Sequence, residues 1–179
     1  YMPEGVWDET NFYGNLRNYK HTKSKDLYRR SLYTIWKRTA APPNMLTFDV
    51  PSREACRVQR ARTDTPLQAL TLMNDVTFLE AARVLAQRMM RDGGKSPEER
   101  LEYGFQRVLA RKPTKEELNI LKSGWEKKRA TYQKDLRAAR ELRAIGEAPI
   151  DMGLDLAELA AYTVATSTLL NLDEVVNKE

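Results

Sequence analysis

Two helix starts built on the same pattern stand eighteen residues apart, Ser96-Pro97-Glu98-Glu99 and Thr114-Lys115-Glu116-Glu117. In each, a hydroxyl can accept the backbone N–H three residues on, while the glutamate there reaches back to the N–H of the hydroxyl residue. No helix runs through such a box, so the interval must hold one complete helix and a turn. Leu101, Phe105, Val108 and Leu109 supply that helix with an apolar stripe, and Pro113 prepares the second start.

The same rules extend in both directions. Pro66 suits a first helical turn capped by Asp64 or Thr65, and "LQALTLMN" follows. Asn74 or Asp75 then caps a helix whose stripe is Phe78, Ala81, Ala82, Leu85 and Met89, stopped by "DGG". From Thr114 the pattern predicts one long helix with Leu118, Leu121 and Trp125 on its buried face, continuing through Tyr132, Leu136 and Ala139. Lys127, Lys128, Arg129, Lys134, Arg137, Arg140 and Arg143 crowd its other sides. Glu126, Asp135 and Glu141 dilute them and no aromatic series is interleaved, so this is a solvated face and no nucleic acid is expected as partner. "AIGEAPIDMG" (144–153) reads as a loop, and Asp155 caps a last helix whose uncharged middle, "LAAYTVATSTLL", belongs inside a bundle.

Before Pro66 the pattern changes. Trp7, Phe12, Tyr13, Tyr19, Tyr28, Tyr33, Trp36 and Phe48 lie among Pro3, Gly5, Gly14, Pro42, Pro43 and Pro51, the spacing of loops and short elements packed by aromatics. Within Asp26–Thr39 the alternation of Leu32, Thr34 and Trp36 with Tyr33, Ile35 and Lys37 favours a strand over a helix. The expected fold is therefore mainly α: a bundle of four or five helices over 67–179, with an aromatic-rich, loop-rich half over 1–66 that holds at most short strands. Together they form a single domain, 1–179.

Composition narrows the chemistry. One cysteine excludes an internal disulfide or a thiolate cluster, and one histidine, His21, excludes a multi-histidine metal site, so no metal and no cofactor is expected in this chain. The longest uncharged apolar run, Leu159 to Leu172, is too short to span a bilayer. The opening "YMPEGVWDET" lacks the basic and apolar regions of a secretory signal and reads as a piece cut from a longer precursor. Thirty basic residues interleave with 25 acidic ones, giving a net charge of +5 and a mixed surface.

Several blocks together resemble a known family. "DLYRRSLYTIWKRTAAPPNMLTFDVPSREACRVQRARTDTPLQALTLMNDVTFLEAARVLAQRM" is similar to the C-terminal domain of planctomycete and verrucomicrobial cytochrome-c-associated proteins of unknown function. "PEGVWDE", "RVLARKPTKEEL" and "LLNLDEVVNKE" resemble that family's other signatures. The resemblance implies an exported multidomain parent, an extracytoplasmic setting and, as partners, other domains of that parent, among them a cytochrome-c-like domain. It supplies no catalytic residues. Val76 stands where relatives commonly carry proline, which weakens that helix start without moving it.

"CRVQRARTDTPLQAL" (56–70) holds the best candidate site. Arg53, Arg57, Arg60 and Arg62 share the region with Asp49, Glu54 and Asp64, and guanidinium–carboxylate pairs would lock it onto the first helices. The same forks can grip a sulfate or carboxylate, with Trp7 and Trp36 offering stacking faces to a sugar. Cys56 lacks an evident base and reads as a small buried hydrophobe. Asp8, Glu9, Asp49 and Asp64 offer acid and base partners for work across a sugar, which demands a defined separation that sequence does not set. The function expected is a noncatalytic structural or interaction module. The alternative is a glycan-binding or glycan-active domain that recognises acidic polysaccharide through Arg53, Arg57, Arg60, Arg62, Trp7 and Trp36.

Overall fold

The computed structural model describes residues 5–7, 25–37, 40–51, 55–59 and 63–176. Among them are eight α-helices: α1 (Pro43–Thr47), α2 (Pro66–Asn74), α3 (Val76–Asp92), α4 (Pro97–Leu109), α5 (Lys115–Lys134), α6 (Leu136–Arg143), α7 (Leu156–Leu170) and α8 (Asp173–Val176). This exceeds the four or five expected: α1 and α8 are too short to impose a periodic pattern, and α6 was expected as the end of one long helix. The chain divides into two compact units, Tyr1–Thr71 and Leu72–Glu179, with the boundary inside α2.

In the first unit the expected strand over Asp26–Thr39 is not found. Its described residues form two 3₁₀ turns, Lys25–Tyr28 and Ser31–Tyr33, and a single bridge joins Lys37 to Ala40. Leu32 and Tyr33 are both exposed, so the alternation marks no buried face for a sheet to cover. A polar knot organises the stretch before α2. Gln68 is buried; its Nε2 donates to the Thr47 carbonyl at 2.9 Å and to Thr63 Oγ1 at 3.1 Å, and its Oε1 accepts from Thr65 N at 3.1 Å. Thr65 Oγ1 in turn accepts from Gln68 N at 3.3 Å. "TPLQ" is thus a third capping box, with Gln in place of Glu.

The second unit is built around α7. This helix is buried on nearly all sides, with Leu159, Ala160, Ala161, Tyr162, Thr163, Thr166 and Leu169 inside, and α3, α4, α5, α6 and α8 pack on it. Its two buried threonines bond within the helix: Thr163 Oγ1 donates to Leu159 O and Thr166 Oγ1 to Tyr162 O, both at 2.8 Å. Polar side chains therefore enter the core at little cost. Met89 and Met90 of α3, Leu101 of α4 and Trp125 of α5 complete the cluster, and Trp125 meets Tyr162 at 5.1 Å between ring centroids. Gly104 lets α4 approach α3, because a β-carbon there would fall 2.6 Å from Met89 Sδ.

Both capping boxes form as the sequence requires. Ser96 Oγ accepts from Glu99 N and Thr114 Oγ1 from Glu117 N, each at 3.2 Å, and both glutamates return the bond. Asp75 caps α3 through Thr77 N at 2.8 Å, and Asp155 caps α7 through Glu158 N at 2.7 Å. Val76 occupies the first turn of α3, so the start stays in place without proline.

The long helix expected from Thr114 is instead two. Asp135 leaves helical geometry at φ −124°, ψ 78°, and its side chain accepts from Ala138 N at 3.0 Å, closing α5 and opening α6. A short acid that can bond the backbone ahead of it competes with helix continuation. The α3 stripe is also displaced. Ala81 is exposed and Phe78 half-buried, while Glu80, Arg83 and Gln87 are buried beside Ala82, Ala86, Met89 and Met90.

Candidate functional site

Glu80, Arg83 and Gln87 follow one another at three and four residues and so share one face of α3. That face meets the loop 145–151. Arg83 Nε donates to Ile145 O at 3.2 Å, Nη2 to Ala148 O at 2.8 Å and Nη1 to Pro149 O at 3.3 Å. Gln87 Nε2 donates to Pro149 O at 3.3 Å, and its Oε1 accepts from Asp151 N at 2.7 Å. Glu80 Oε1 accepts from Glu147 N at 2.8 Å and from Ala148 N, and lies 3.9 Å from Arg83 Nη2.

The cause is the loop's own backbone. A segment without regular structure carries N–H and C=O groups that must be paired when buried. Here one planar guanidinium spreads over three carbonyls, a carboxylate collects two N–H groups, and an amide does one of each. Arg83 is 1% exposed, so its charge lies away from bulk solvent, among carbonyl oxygens and beside Glu80. Gly146 adopts φ +83° against Glu80, a conformation and a proximity that exclude a β-carbon. At the rim Arg91 donates from Nε and Nη2 to Asp151 Oδ2 at 2.8 and 2.5 Å. The Gly153 N–H, and then Arg91, hold the Asp151 carboxyl below the usual range.

A second charge cluster ties down α8. Arg111 faces Glu117 with both terminal nitrogens, at 3.0 and 2.8 Å, and reaches Glu174 through Nε at 2.9 Å and Nη2 at 2.8 Å, with its guanidinium 4.8 Å from the Phe105 ring centre. Arg111 and the Thr114 N–H push the Glu117 carboxyl down to about 2. In the core, burial pushes the Tyr162 hydroxyl up to about 12, and Arg100, paired with Glu158 at 2.9 Å, lies beside its ring. An open depression at the α3–α4 corner is lined by Asp92, Lys95, Glu99, Glu102, Tyr103 and Gln106. Its Glu99 is already occupied, receiving the N–H groups of Lys95 at 2.8 Å and Ser96 at 3.0 Å.

The residues singled out from the sequence are distributed otherwise. Arg53, Arg60 and Arg62 lie outside the described residues. Arg57 is exposed. Trp7 is buried: its Nε1 donates to Ala40 O at 2.8 Å and Lys37 Nζ sits 4.5 Å from its ring centre, so this ring packs inward. Trp36 is half-buried. Asp49, one of the acids expected to pair with the arginines, accepts from Thr63 N at 2.8 Å and Thr63 Oγ1 at 2.7 Å, and these bonds hold its carboxyl below the usual range. Cys56 is exposed, not buried as expected, because the described stretch around it (55–59) is exposed throughout.

The clasp of Glu80, Arg83 and Gln87 was missed because their partners are backbone atoms more than sixty residues away. One signal was present: three long polar side chains interrupt the apolar face of α3 at its own period. Among the described residues no group of three or more histidine, cysteine, aspartate or glutamate side chains is placed to hold a metal ion. No helix among them is long and apolar enough to cross a membrane.

A family model described as PSD1, protein of unknown function (DUF1553), matches residues 4–125. The chain belongs to the PSD1 family. The PSD1 match ends at Trp125, the core residue of α5, so the clasped loop, α6 and α7 lie beyond it. No curated protein matches the chain, and no solved structure does.

Proposed function

We propose that this PSD1 chain is a noncatalytic interaction module, carried as the C-terminal domain of an exported multidomain protein, and that its partners include other domains of that parent. One observation carries the reading: the three long polar side chains buried in the helical unit, Glu80, Arg83 and Gln87, bond to the backbone of the unit's own loop. A catalytic acid or base needs a pKa matched to its task and access to substrate. Side chains committed to backbone groups in the interior make a rigid body whose outer surface does the work. The extracytoplasmic setting and the cytochrome-c-like partner rest on the family resemblance of the sequence blocks.

The test has two arms. The purified chain is titrated by calorimetry against the separately expressed upstream domains of its parent, and incubated with acidic and neutral polysaccharides while new reducing ends are counted. Saturable binding without new reducing ends is the expected result. Turnover that purifies with the chain through successive columns would overturn it.

A further inference from the structure

Past Trp125 the end of α5 projects from the core, and α6 returns to it through the fully buried Ala139. Of residues 126–141 the others, apart from the half-buried Tyr132 and Ala138, are exposed, so the end of α5 and the start of α6 form a surface lobe that turns at Asp135. Leu136, at the turn, is 45% exposed.

Most of the chain's charge excess lies here. Residues 126–143 contain seven cations, Lys127, Lys128, Arg129, Lys134, Arg137, Arg140 and Arg143, against three acids, Glu126, Asp135 and Glu141. That surplus of four is most of the whole chain's net charge of +5, and the remaining residues nearly balance, with 23 cations and 22 acids. All three acids of the lobe are engaged: Glu126 lies 4.0 Å from Lys122, Asp135 caps α6, and Glu141 pairs with Arg137 at 3.0 Å. Arg129 lies over the Trp125 ring at 5.5 Å. Among the described residues Lys127, Lys128, Lys134 and Arg140 form no ion pair.

The arrangement of these cations selects the shape of the partner. At about 100° per residue, Lys127 and Lys134 share one side of α5, while Lys128 and Arg129 point well away from it in different directions. A flat anionic membrane or a rigid duplex would meet one side at a time. A flexible chain of spaced negative charges can pass over the lobe and meet them in turn. Single-stranded nucleic acid binds through aromatic platforms as well as charge, and the one aromatic within 126–143 is the half-buried Tyr132. We infer that the lobe 126–143 is a binding site for a linear acidic polysaccharide, held through sulfate or carboxylate groups. This deepens the interaction-module reading and rests on it; it also moves the polysaccharide site away from Arg57 and Trp7.

Titration of the intact chain followed by fluorescence anisotropy tests it, with labelled heparin and polygalacturonate as probes and oligothymidylate and phosphatidylserine vesicles as competitors. Both polysaccharides should bind, more weakly as salt rises. The triple variant Lys127→Gln, Lys128→Gln, Lys134→Gln should lose about tenfold in affinity, roughly half a kcal/mol for each exposed charge. The charge-matched control Arg88→Gln, Lys95→Gln, Lys115→Gln, on exposed cations outside the lobe, should change less than about twofold, with unaltered melting for both. Equal losses in the two variants, no loss in the lobe variant, or stronger competition by oligothymidylate or vesicles would each overturn the assignment. A wild-type chain that binds neither polysaccharide yet binds a parent domain would remove the lobe site and leave the module reading intact. Release of reducing ends would remove the module reading itself.

Discussion

Gly146 and Glu80 touch where a side chain on Gly146 would have to be: a β-carbon built there falls 2.7 Å from the Glu80 β- and γ-carbons. The glycine also holds φ +83°, a left-handed conformation that costs a residue with a β-carbon about 1–2 kcal/mol. Gly146→Ala should therefore destabilise the protein by about 2 kcal/mol or more, combining strain with displacement of a buried carboxylate. The same change at Gly124, where a β-carbon on α5 meets nothing within 4 Å, should stabilise by about 0.5–1 kcal/mol. Urea melts of the two variants read the opposite signs directly.

Removing the guanidinium of the clasp should cost more. Arg83→Met takes the guanidinium from the Ile145 and Ala148 carbonyls, leaves Gln87 as the side-chain donor to the Pro149 carbonyl and removes the cation beside Glu80, and about 3–5 kcal/mol should be lost. Lysine should recover little, since an ammonium on a single stem cannot serve three carbonyls spread along a loop. Limited proteolysis should show new cleavage within 145–151 in both variants, and an uncut loop in Arg83→Met would contradict this account.

Acid should act through the Arg111 cluster. Glu117 titrates at about 2 in the folded chain against an ordinary 4.5, so folding favours its ionised form. Its contribution is complete above pH 4.5 and is lost as the pH falls towards 2. Glu117→Gln keeps an oxygen for the Thr114 N–H but removes the charge. The gap in urea midpoint between wild type and variant should be widest near neutrality and close as the pH falls through that window. A gap that stays constant down to pH 2 would count against the ion pair as its source.

Cys56, exposed and the chain's one thiol, should react with a small disulfide reagent in the native protein at a rate within a few-fold of that in urea. Slow native labelling that accelerates on unfolding would restore the buried reading.

The helix starts were legible because each is a local event: Ser96 with Glu99, Thr114 with Glu117 and Asp155 with Glu158 complete their bonds within four residues. The interior placement of α7 was legible too, from a run without charge. Long-range pairing was not. Arg83 reads as one more surface cation until the loop at Ile145–Pro149 comes to lie over it, and only tertiary structure brings that about. Asp135 was misread because periodicity weighs apolar positions, whereas this break is decided by a carboxylate competing for Ala138 N. Leu32, Thr34 and Trp36 misled for the converse reason: their alternation has no second strand to answer it among the described residues.

The position of α7 in the order of synthesis has a consequence for biogenesis. When the ribosome has made the chain as far as Leu154, α3, α4 and α5 exist but the helix they enclose does not. Leu101 and Trp125, both buried in the finished unit against α7 residues, then have no α7 to close over them. At about 5–20 residues per second, the nascent chain spends seconds in that state, open to aggregation or to a holding chaperone. Closure waits for Leu156–Leu170, so a chain interrupted before that helix should be cleared by proteolysis rather than accumulate as a smaller folded product.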